Sequence, residues 1–231
     1  MTVIWLRLYP IHEVLAYLFG VSDSTVSRWI ERVLPLLEHA GRDTMRLPDP
    51  GKKRRRQLSE LLDEMPELMV IVDSFEQRVQ RPVDDDSPYS GKKKQHTLKS
   101  QIAVDGNTGR IVDISDSVAG PTADIRLLEE SRLLRRLPDE IGVAGDLASL
   151  NLAKLRRMGF APRRKPRNQE RPPDDVLYNR AFSQFRIIIQ QTIGQLRRFQ
   201  SISATDRNHR RQHRTRVGAI VGLVKRLPRF A

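Results

Sequence analysis

Two short apolar runs, each followed by an acidic residue, constrain the fold of this chain more than any other feature. Residues 69–72 read MVIV and precede Asp73, and residues 141–144 read IGVA and precede Gly145 and Asp146. Apolar runs of this length, bounded by polar residues, are typical of buried strands. Carboxylates that follow adjacent strands converge in space, and such a pair suits Mg²⁺ or Mn²⁺. The alternative for either aspartate alone is an ordinary turn or cap residue.

The segments around these two runs predict a mixed sheet flanked by helices. Residues 97–114 contain two alternating polar and apolar stretches with turn-forming residues between them, which predicts a hairpin. Helical periodicity follows over residues 123–136 and 174–199. We expect the hairpin to lie antiparallel to the first apolar run and the second run to lie parallel to it. Residues 60–231 are therefore predicted to form an α/β domain.

The first 41 residues have a helical pattern instead. Gly20 interrupts their apolar stripe, and Ser22 offers a hydroxyl cap for a second helix, which predicts helix, tight turn, helix. An ordinary amphipathic helix pair is the alternative to a DNA-reading one, and we expect Trp29 to pack beneath the second helix. Small and polar residues that could reach base edges and phosphates open that helix: Ser22, Ser24, Thr25, Ser27 and Arg28.

The chain carries a large excess of positive charge. It has 41 Lys and Arg against 28 Asp and Glu, a net charge of +13. This excess favours a polyanionic partner, because cationic side chains that neutralise phosphates release counterions. Phosphate contacts are expected from Lys92, Lys93 and Lys94 and from a basic tail over residues 207–225. We predict double-stranded DNA as the partner, with no membrane span, no small-molecule cofactor and, without cysteine, a cytoplasmic location.

Five blocks in order resemble bacterial insertion-sequence transposases of the DDE superfamily, as does the N-terminal helix pair. The blocks are IVDSFEQRVQRP, YSGKKKQHTLKSQIAVD, AGPTADIRLLEES, the dipeptide at Gly145 and Asp146, and YNRAFSQFRIIIQQTIGQLRRFQ. The resemblance implies metal-dependent cleavage and transfer of DNA strands, with catalytic and metal-binding roles for Asp73 and Asp146. It implies three segments: a helix-turn-helix domain over residues 1–41, a basic linker over 42–59, and a ribonuclease-H-like nuclease domain with a basic C-terminal helix over 60–231.

The chain departs from the family pattern at diagnostic positions. Gln190 stands where the family has its catalytic glutamate, four residues after Arg186. A neutral amide is a poor ligand for a hard dication, so we expect Mg²⁺ or Mn²⁺ to bind weakly. Residues 147–149 and Ala123 also differ from the family. The N-terminal domain is short for the family, and we expect a truncation there.

Three functions compete at this point. The first is an active metal-dependent transposase, and the second is a DNA-binding remnant or domesticated derivative with impaired cleavage. The third, a transcription regulator, is disfavoured because the middle blocks resemble a nuclease core. Glu170, Asp174 and Asp175 are the other acids that could complete the site. A nucleoid-associated protein, able to form a homo-oligomer on DNA, fits either of the first two functions.

Overall fold

The computed structural model describes residues 1–50, 69–81, 88–146, 152–168 and 170–226. The basic run of the predicted linker and residues 147–149 lie outside the described residues. The helices are α1 (Thr2–Leu8), α2 (His12–Phe19), α3 (Asp23–Arg42), α4 (Asp124–Glu130), α5 (Leu133–Arg136), α6 (Leu152–Leu155), α7 (Pro173–Arg197), α8 (Gln200–Ser203) and α9 (His213–Arg226). The strands are β1 (Met69–Arg78), β2 (Tyr89–Ser90), β3 (Gln95–Asp105), β4 (Ile111–Ile114), β5 (Val118–Ala119), β6 (Gly142–Ala144) and β7 (Gly159–Phe160).

Helices α2 and α3 form the predicted helix, turn, helix arrangement, and α1 precedes them. Gly20 ends α2 in the left-handed conformation, with φ of 63°, which glycine adopts without a steric penalty. The Ser22 hydroxyl then caps α3 by accepting a hydrogen bond from the backbone N–H of Thr25 at 3.3 Å. Trp5 and Leu6 of α1 are fully buried and close the core of this region.

The expectation that Trp29 packs beneath the second helix is wrong. The core-facing stripe of α3 contains Val26 and Ile30, which are four residues apart and buried. Trp29 lies one residue, or about 100°, away from that stripe, and its side chain is 45% exposed.

The sheet has the predicted mixed topology. Its strand order is β2-β3-β1-β6-β7, and β4 and β5 also pair with β3. Strands β1 and β3 are antiparallel along their length. Strands β1 and β6 are parallel, with Ile71 opposite Ala144 at the end of the register. Both predicted strand pairings are therefore confirmed.

Strand β1 is longer than its apolar run. It does not end at Asp73 but continues for five more residues to Arg78. The polar residues beyond Asp73 remain in the strand because the sheet supplies them with partners. Glu76, for example, lies opposite Lys99 in the register with β3 and accepts a hydrogen bond from the Thr97 hydroxyl at 2.7 Å.

The predicted helix over residues 123–136 is divided into α4 and α5. Arg132 has a left-handed φ of 57°, and this interrupts the helical path. The Ser131 hydroxyl accepts a hydrogen bond from the backbone N–H of Leu133 at 3.3 Å. Both helices cover one face of the sheet, where Leu128 packs in a core with residues of β1, β3 and β6.

Helix α7 covers the opposite face of the sheet. The Arg186 side chain lies against Asp73 of β1. About two turns later, the Thr192 hydroxyl is 3.4 Å from the carbonyl oxygen of Gly109, in the turn between β3 and β4. Ile189, between these contacts, is fully buried. The long helix therefore places side chains of one face above the strand that carries the first aspartate.

The basic tail is largely part of the core, so the expectation of a phosphate-facing helix is wrong for its buried residues. Helix α9 packs on α3 so closely that a Cβ added to Gly222 would lie 2.5 Å from the Cα of Gly41. Arg216 and His213 at its start are completely buried. Contacts of this kind join the N-terminal helices and the sheet in a single hydrophobic cluster. Within the described residues, no helix is long and apolar enough to cross a membrane.

A buried polar cluster lies at the start of α9. Arg216 forms an ion pair with Asp206, and both side chains are almost completely buried. His213 contacts the Ser117 hydroxyl through Nδ1 at 2.7 Å and the side-chain oxygen of Gln77 through Nε2 at 2.9 Å. Burial, together with the nearby charge of Arg216, lowers the pKa of His213 to about 4. This histidine is therefore a neutral structural residue.

Candidate active site and DNA-binding surface

Asp73 and Asp146 follow two neighbouring parallel strands of the sheet. Each stands two residues after the last paired position of its strand, where Ile71 is opposite Ala144. Adjacent strands are about 4.8 Å apart, and a step of two residues returns to the same face. The charge of Asp146 also contributes to raising the pKa of Asp73, as expected for neighbouring carboxylates. The convergence of the two aspartates stays a prediction, and this register favours it.

Asp73 is held by two donors on the α7 side of the sheet. Its Oδ2 lies 3.4 Å from Nη2 of Arg186, and its Oδ1 accepts a hydrogen bond from the backbone N–H of Ser74 at 2.8 Å. Burial is the largest influence on its pKa and raises it, whereas Arg186 and Ser74 act in the opposite direction. The net pKa is raised, so ionisation of this carboxyl costs more free energy in the folded protein than in water.

A third aspartate near this site was not among the predicted site residues. Asp124, the first residue of α4, accepts a hydrogen bond from the Ser74 hydroxyl at 2.6 Å and pairs with Lys99 at 3.1 Å. Its charge also contributes to raising the pKa of Asp73. Lys99 is nearly buried and lies 3.9 Å from Glu76 as well. The strand register that places Lys99 opposite Glu76 is the signal that could have revealed this cluster.

Gln190 lies one helical turn after Arg186 on α7. The four-residue spacing puts both side chains on the same side of the helix, the side that reaches Asp73. The Gln190 side chain is exposed, whereas its neighbour Ile189 is buried. The third predicted position is thus at the edge of the site and open to solvent.

The described residues hold no cluster of three acidic or histidine side chains that could bind a metal ion. The donor set that they do offer is two neighbouring carboxylates, Asp73 and Asp146, which repel each other. A hard dication would relieve that repulsion and fits this pair. Arg186, 3.4 Å from Asp73, already provides part of the neutralising charge.

The start of α3 carries a hydrogen-bonded network of the predicted DNA-binding residues. The Ser22 hydroxyl lies 3.0 Å from those of Ser24 and Thr25. Arg28 folds back along the helix, and its Nε donates to the Ser24 carbonyl at 3.2 Å while Nη2 donates to the Thr25 hydroxyl at 3.3 Å. Ser27 is only partly exposed, and the network itself faces solvent.

The lysine triplet lies in the turn between β2 and β3. Lys92, Lys93 and Lys94 are all exposed, as predicted for a loop. The turn is held by the Ser90 carbonyl, which accepts a hydrogen bond from the backbone N–H of Lys93 at 3.1 Å. Three cationic side chains are therefore presented together at a sheet edge.

Comparison with known proteins agrees with both parts of this description. The family model of the DDE superfamily endonuclease matches residues 72–227. The family model of the helix-turn-helix of DDE superfamily endonuclease matches residues 1–43. A probable transposase for insertion sequence element IS702 from Microchaete diplosiphon is 27% identical over 208 residues, which cover 89% of this chain and 70% of the relative. No solved structure is a significant match.

The matched regions correspond to the two parts of the fold. The endonuclease match covers the mixed sheet with its flanking helices, as in a ribonuclease-H-like domain, and the other match covers α1 to α3. Endonucleases of this superfamily generally depend on a divalent metal ion. The protein belongs to the DDE superfamily of insertion-sequence transposases and combines its endonuclease domain with its helix-turn-helix.

Proposed function

We propose that this protein binds double-stranded DNA through its helix-turn-helix and cleaves it weakly or not at all at a site formed by Asp73, Asp146 and Gln190. The observation that carries the proposal is the parallel register of β1 and β6, because each aspartate follows the last paired position, Ile71 opposite Ala144, by two residues. An active transposase and a cleavage-impaired, DNA-binding derivative remain the two forms of this function. Gln190 favours the impaired form.

Asp73 and Asp146 would hold Mg²⁺ or Mn²⁺ in this proposal. When bound, a divalent ion activates water and stabilises the leaving oxygen of a phosphodiester. Asp73 is oriented for ligation because Ser74 and Arg186 both contact its carboxylate. Arg186 can also contact a phosphate oxygen, since its guanidinium is a donor to anions that faces this site.

Gln190 is the residue of the proposed site that we expect to bind a metal ion least well. Its amide oxygen can ligate a metal but brings no negative charge, and its side chain is exposed. The proposed metal site therefore has two carboxylate ligands where three would be needed. The positive charge of Arg186, close to Asp73, further lowers the net negative charge available to a metal ion. We expect weak metal binding and a correspondingly slow cleavage step.

DNA binding has two components in this account. The helix-turn-helix supplies Ser22, Ser24, Thr25, Ser27 and Arg28 for the major groove, and the turn with Lys92, Lys93 and Lys94 supplies phosphate contacts. The exposure of Arg28 and of the three lysines supports these roles. Homo-oligomerisation on DNA and association with the nucleoid belong to the same proposal. The predicted domain limits, 1–41, 42–59 and 60–231, are proposed with it.

A strand-nicking assay tests the site. Duplex DNA that contains the terminal sequences of the element is incubated with Mg²⁺ or Mn²⁺ and with the parent, Asp73→Asn or Asp146→Asn protein. We expect slow nicking by the parent that requires the metal and disappears in both variants. Metal-dependent nicking that survives both substitutions would place the cleavage site elsewhere. Parent protein that neither nicks nor binds duplex DNA would contradict the proposal as a whole.

A further inference from the structure

The guanidinium of Arg28 has a fixed orientation at the start of α3. Its Nε donates to the Ser24 carbonyl and its Nη2 to the Thr25 hydroxyl, at 3.2 and 3.3 Å. The Thr25 hydroxyl is in turn 3.0 Å from that of Ser22, the cap of the helix. An exposed arginine is ordinarily free to rotate, whereas this one is anchored at two points to its own helix.

These contacts use some of the N–H donors of Arg28 and so determine which of its donors can contact DNA. Arginine carries five N–H groups in a planar fork. Nε and Nη2 lie on the same side of the guanidinium, so the helix occupies the side-on pair. The end-on pair, one N–H of Nη1 and the second N–H of Nη2, points away from the helix. Two parallel donors are the arrangement that matches the O6 and N7 acceptors of guanine in the major groove.

We propose that Arg28 is a specificity-determining residue that reads a guanine through this end-on pair of donors. Ser24 and Thr25 are positioning residues that hold the guanidinium in the required direction. The inference rests on the proposed DNA-binding role of the helix-turn-helix and adds to it the identity of a base. Pre-ordering of the side chain lowers the conformational entropy lost on binding, so the discrimination is stronger than for a mobile arginine.

A phosphate contact is the alternative role for Arg28, and it makes different demands. A phosphate contact weakens binding uniformly across DNA sequences when it is lost, whereas a base contact relaxes specificity at one position. Lysine can replace arginine at a phosphate, but it lacks the planar fork and the Nε donor through which the Ser24 carbonyl holds the guanidinium. Arg28→Lys therefore separates the two roles while it keeps the charge.

The experiment is selection of binding sites from duplexes with a randomised central segment. The parent protein is compared with Arg28→Ala, Arg28→Lys, Thr25→Val and Arg32→Ala. Arg32 is an exposed arginine one turn further along α3, so its replacement is the charge-matched control. Circular dichroism and thermal unfolding establish that each variant is folded.

The parent is expected to select a motif in which one guanine is preferred roughly 5- to 150-fold over other bases, the range of a bidentate contact. Arg28→Ala and Arg28→Lys should both lose that preference, Thr25→Val should reduce it, and Arg32→Ala should keep it. Replacing the guanine by 7-deazaguanine, which lacks N7, should weaken binding by the parent and leave Arg28→Ala binding unchanged.

Different outcomes test the role of Arg28 and DNA binding by the helix-turn-helix as a whole. A parent motif whose guanine preferences all persist in Arg28→Ala would overturn the role of Arg28 and leave the helix-turn-helix as the DNA reader. Retention of the preference in Arg28→Lys would overturn the role of the guanidinium fork that Ser24 and Thr25 hold. A parent protein that enriches no sequence at all would contradict both the inference and sequence-specific binding by this helix.

Discussion

The Arg186 guanidinium on α7 lies 3.4 Å from the Asp73 carboxylate on β1, although 113 residues separate the two in the chain. The contact ties the long helix to the strand that carries the first aspartate of the candidate site. The nearby charge of Arg186 lowers the pKa of Asp73, but by less than burial raises it, so the pKa remains raised. Ionisation of Asp73 therefore lowers the stability of the folded protein.

Asp73→Asn should stabilise the metal-free protein at neutral pH. Because the folded-state pKa of Asp73 is raised, its favourable contribution is present when it is protonated and is lost as pH rises through that pKa. The neutral amide avoids this loss, so the variant should gain stability relative to the parent as pH rises. Thermal unfolding across pH 4 to 8 without metal measures the difference. Asp139→Asn, at an exposed aspartate, is the control, and an Asp73→Asn protein less stable than the parent at neutral pH would contradict the prediction.

Gly222→Ala should destabilise the protein by opening the contact between α3 and α9. The added Cβ would lie 2.5 Å from the Cα of Gly41, so the two helices must separate. Overpacking of this kind costs about 1–3 kcal/mol, or roughly 2–12 °C in melting temperature for a protein of this size. Gly194→Ala is the matched control, because its added Cβ meets nothing within 4 Å apart from its chain neighbours and the backbone of its own helix. That helical substitution should be neutral or stabilising by up to about 1 kcal/mol.

His213 should make the protein less stable as pH falls. Its folded-state pKa is lowered from 6.5 to about 4, so the unfolded chain takes up a proton first. The contribution of the neutral histidine is complete above pH 6.5 and is lost as pH falls towards about 4, by as much as about 3 kcal/mol. Urea unfolding of the parent and His213→Gln proteins should show a flatter pH profile for the variant. His209→Gln, at an exposed histidine, should keep the parent profile.

Replacing Lys92, Lys93 and Lys94 together by glutamine should reduce the salt dependence of DNA binding. Each phosphate contact contributes about 0.9 to the slope of the logarithm of the binding constant against the logarithm of salt concentration. The slope should therefore become less steep by as much as about 3. Fluorescence anisotropy over a salt series measures it. An unchanged slope would remove this turn from the DNA-binding surface.

Local pattern accounted for much of the fold. The break at Gly20 and the cap at Ser22 predicted the start of α3, because glycine permits a left-handed turn and a serine hydroxyl satisfies a free N–H. The apolar runs before Asp73 and Asp146 predicted parallel neighbouring strands, and the turn residues between them predicted the hairpin. Each of these signals is contained in a few consecutive residues.

The features that sequence reasoning missed depend on long-range contacts. The basic tail was expected to face phosphates, but the buried Arg216 forms an ion pair with Asp206. The glycines of α9 also allow this helix to pack closely against α3. Asp124 was not recognised as a neighbour of Asp73, because Lys99 and Ser74 reach it only after the sheet has formed. Tertiary packing determines such partners, so the periodicity of a short stretch of sequence does not predict them.

The most direct test of the account is the single-turnover nicking rate of Gln190→Glu relative to the parent at saturating DNA and a fixed Mg²⁺ concentration. A carboxylate at this position restores negative charge beside Asp73 and Asp146, and we expect a rate gain of about 10- to 100-fold that requires the metal. Gln190→Ala, which cannot ligate at all, should be no faster than the parent. A parent rate equal to that of Gln190→Glu, and abolished by Asp73→Asn, would show that another group completes the site and would contradict the account.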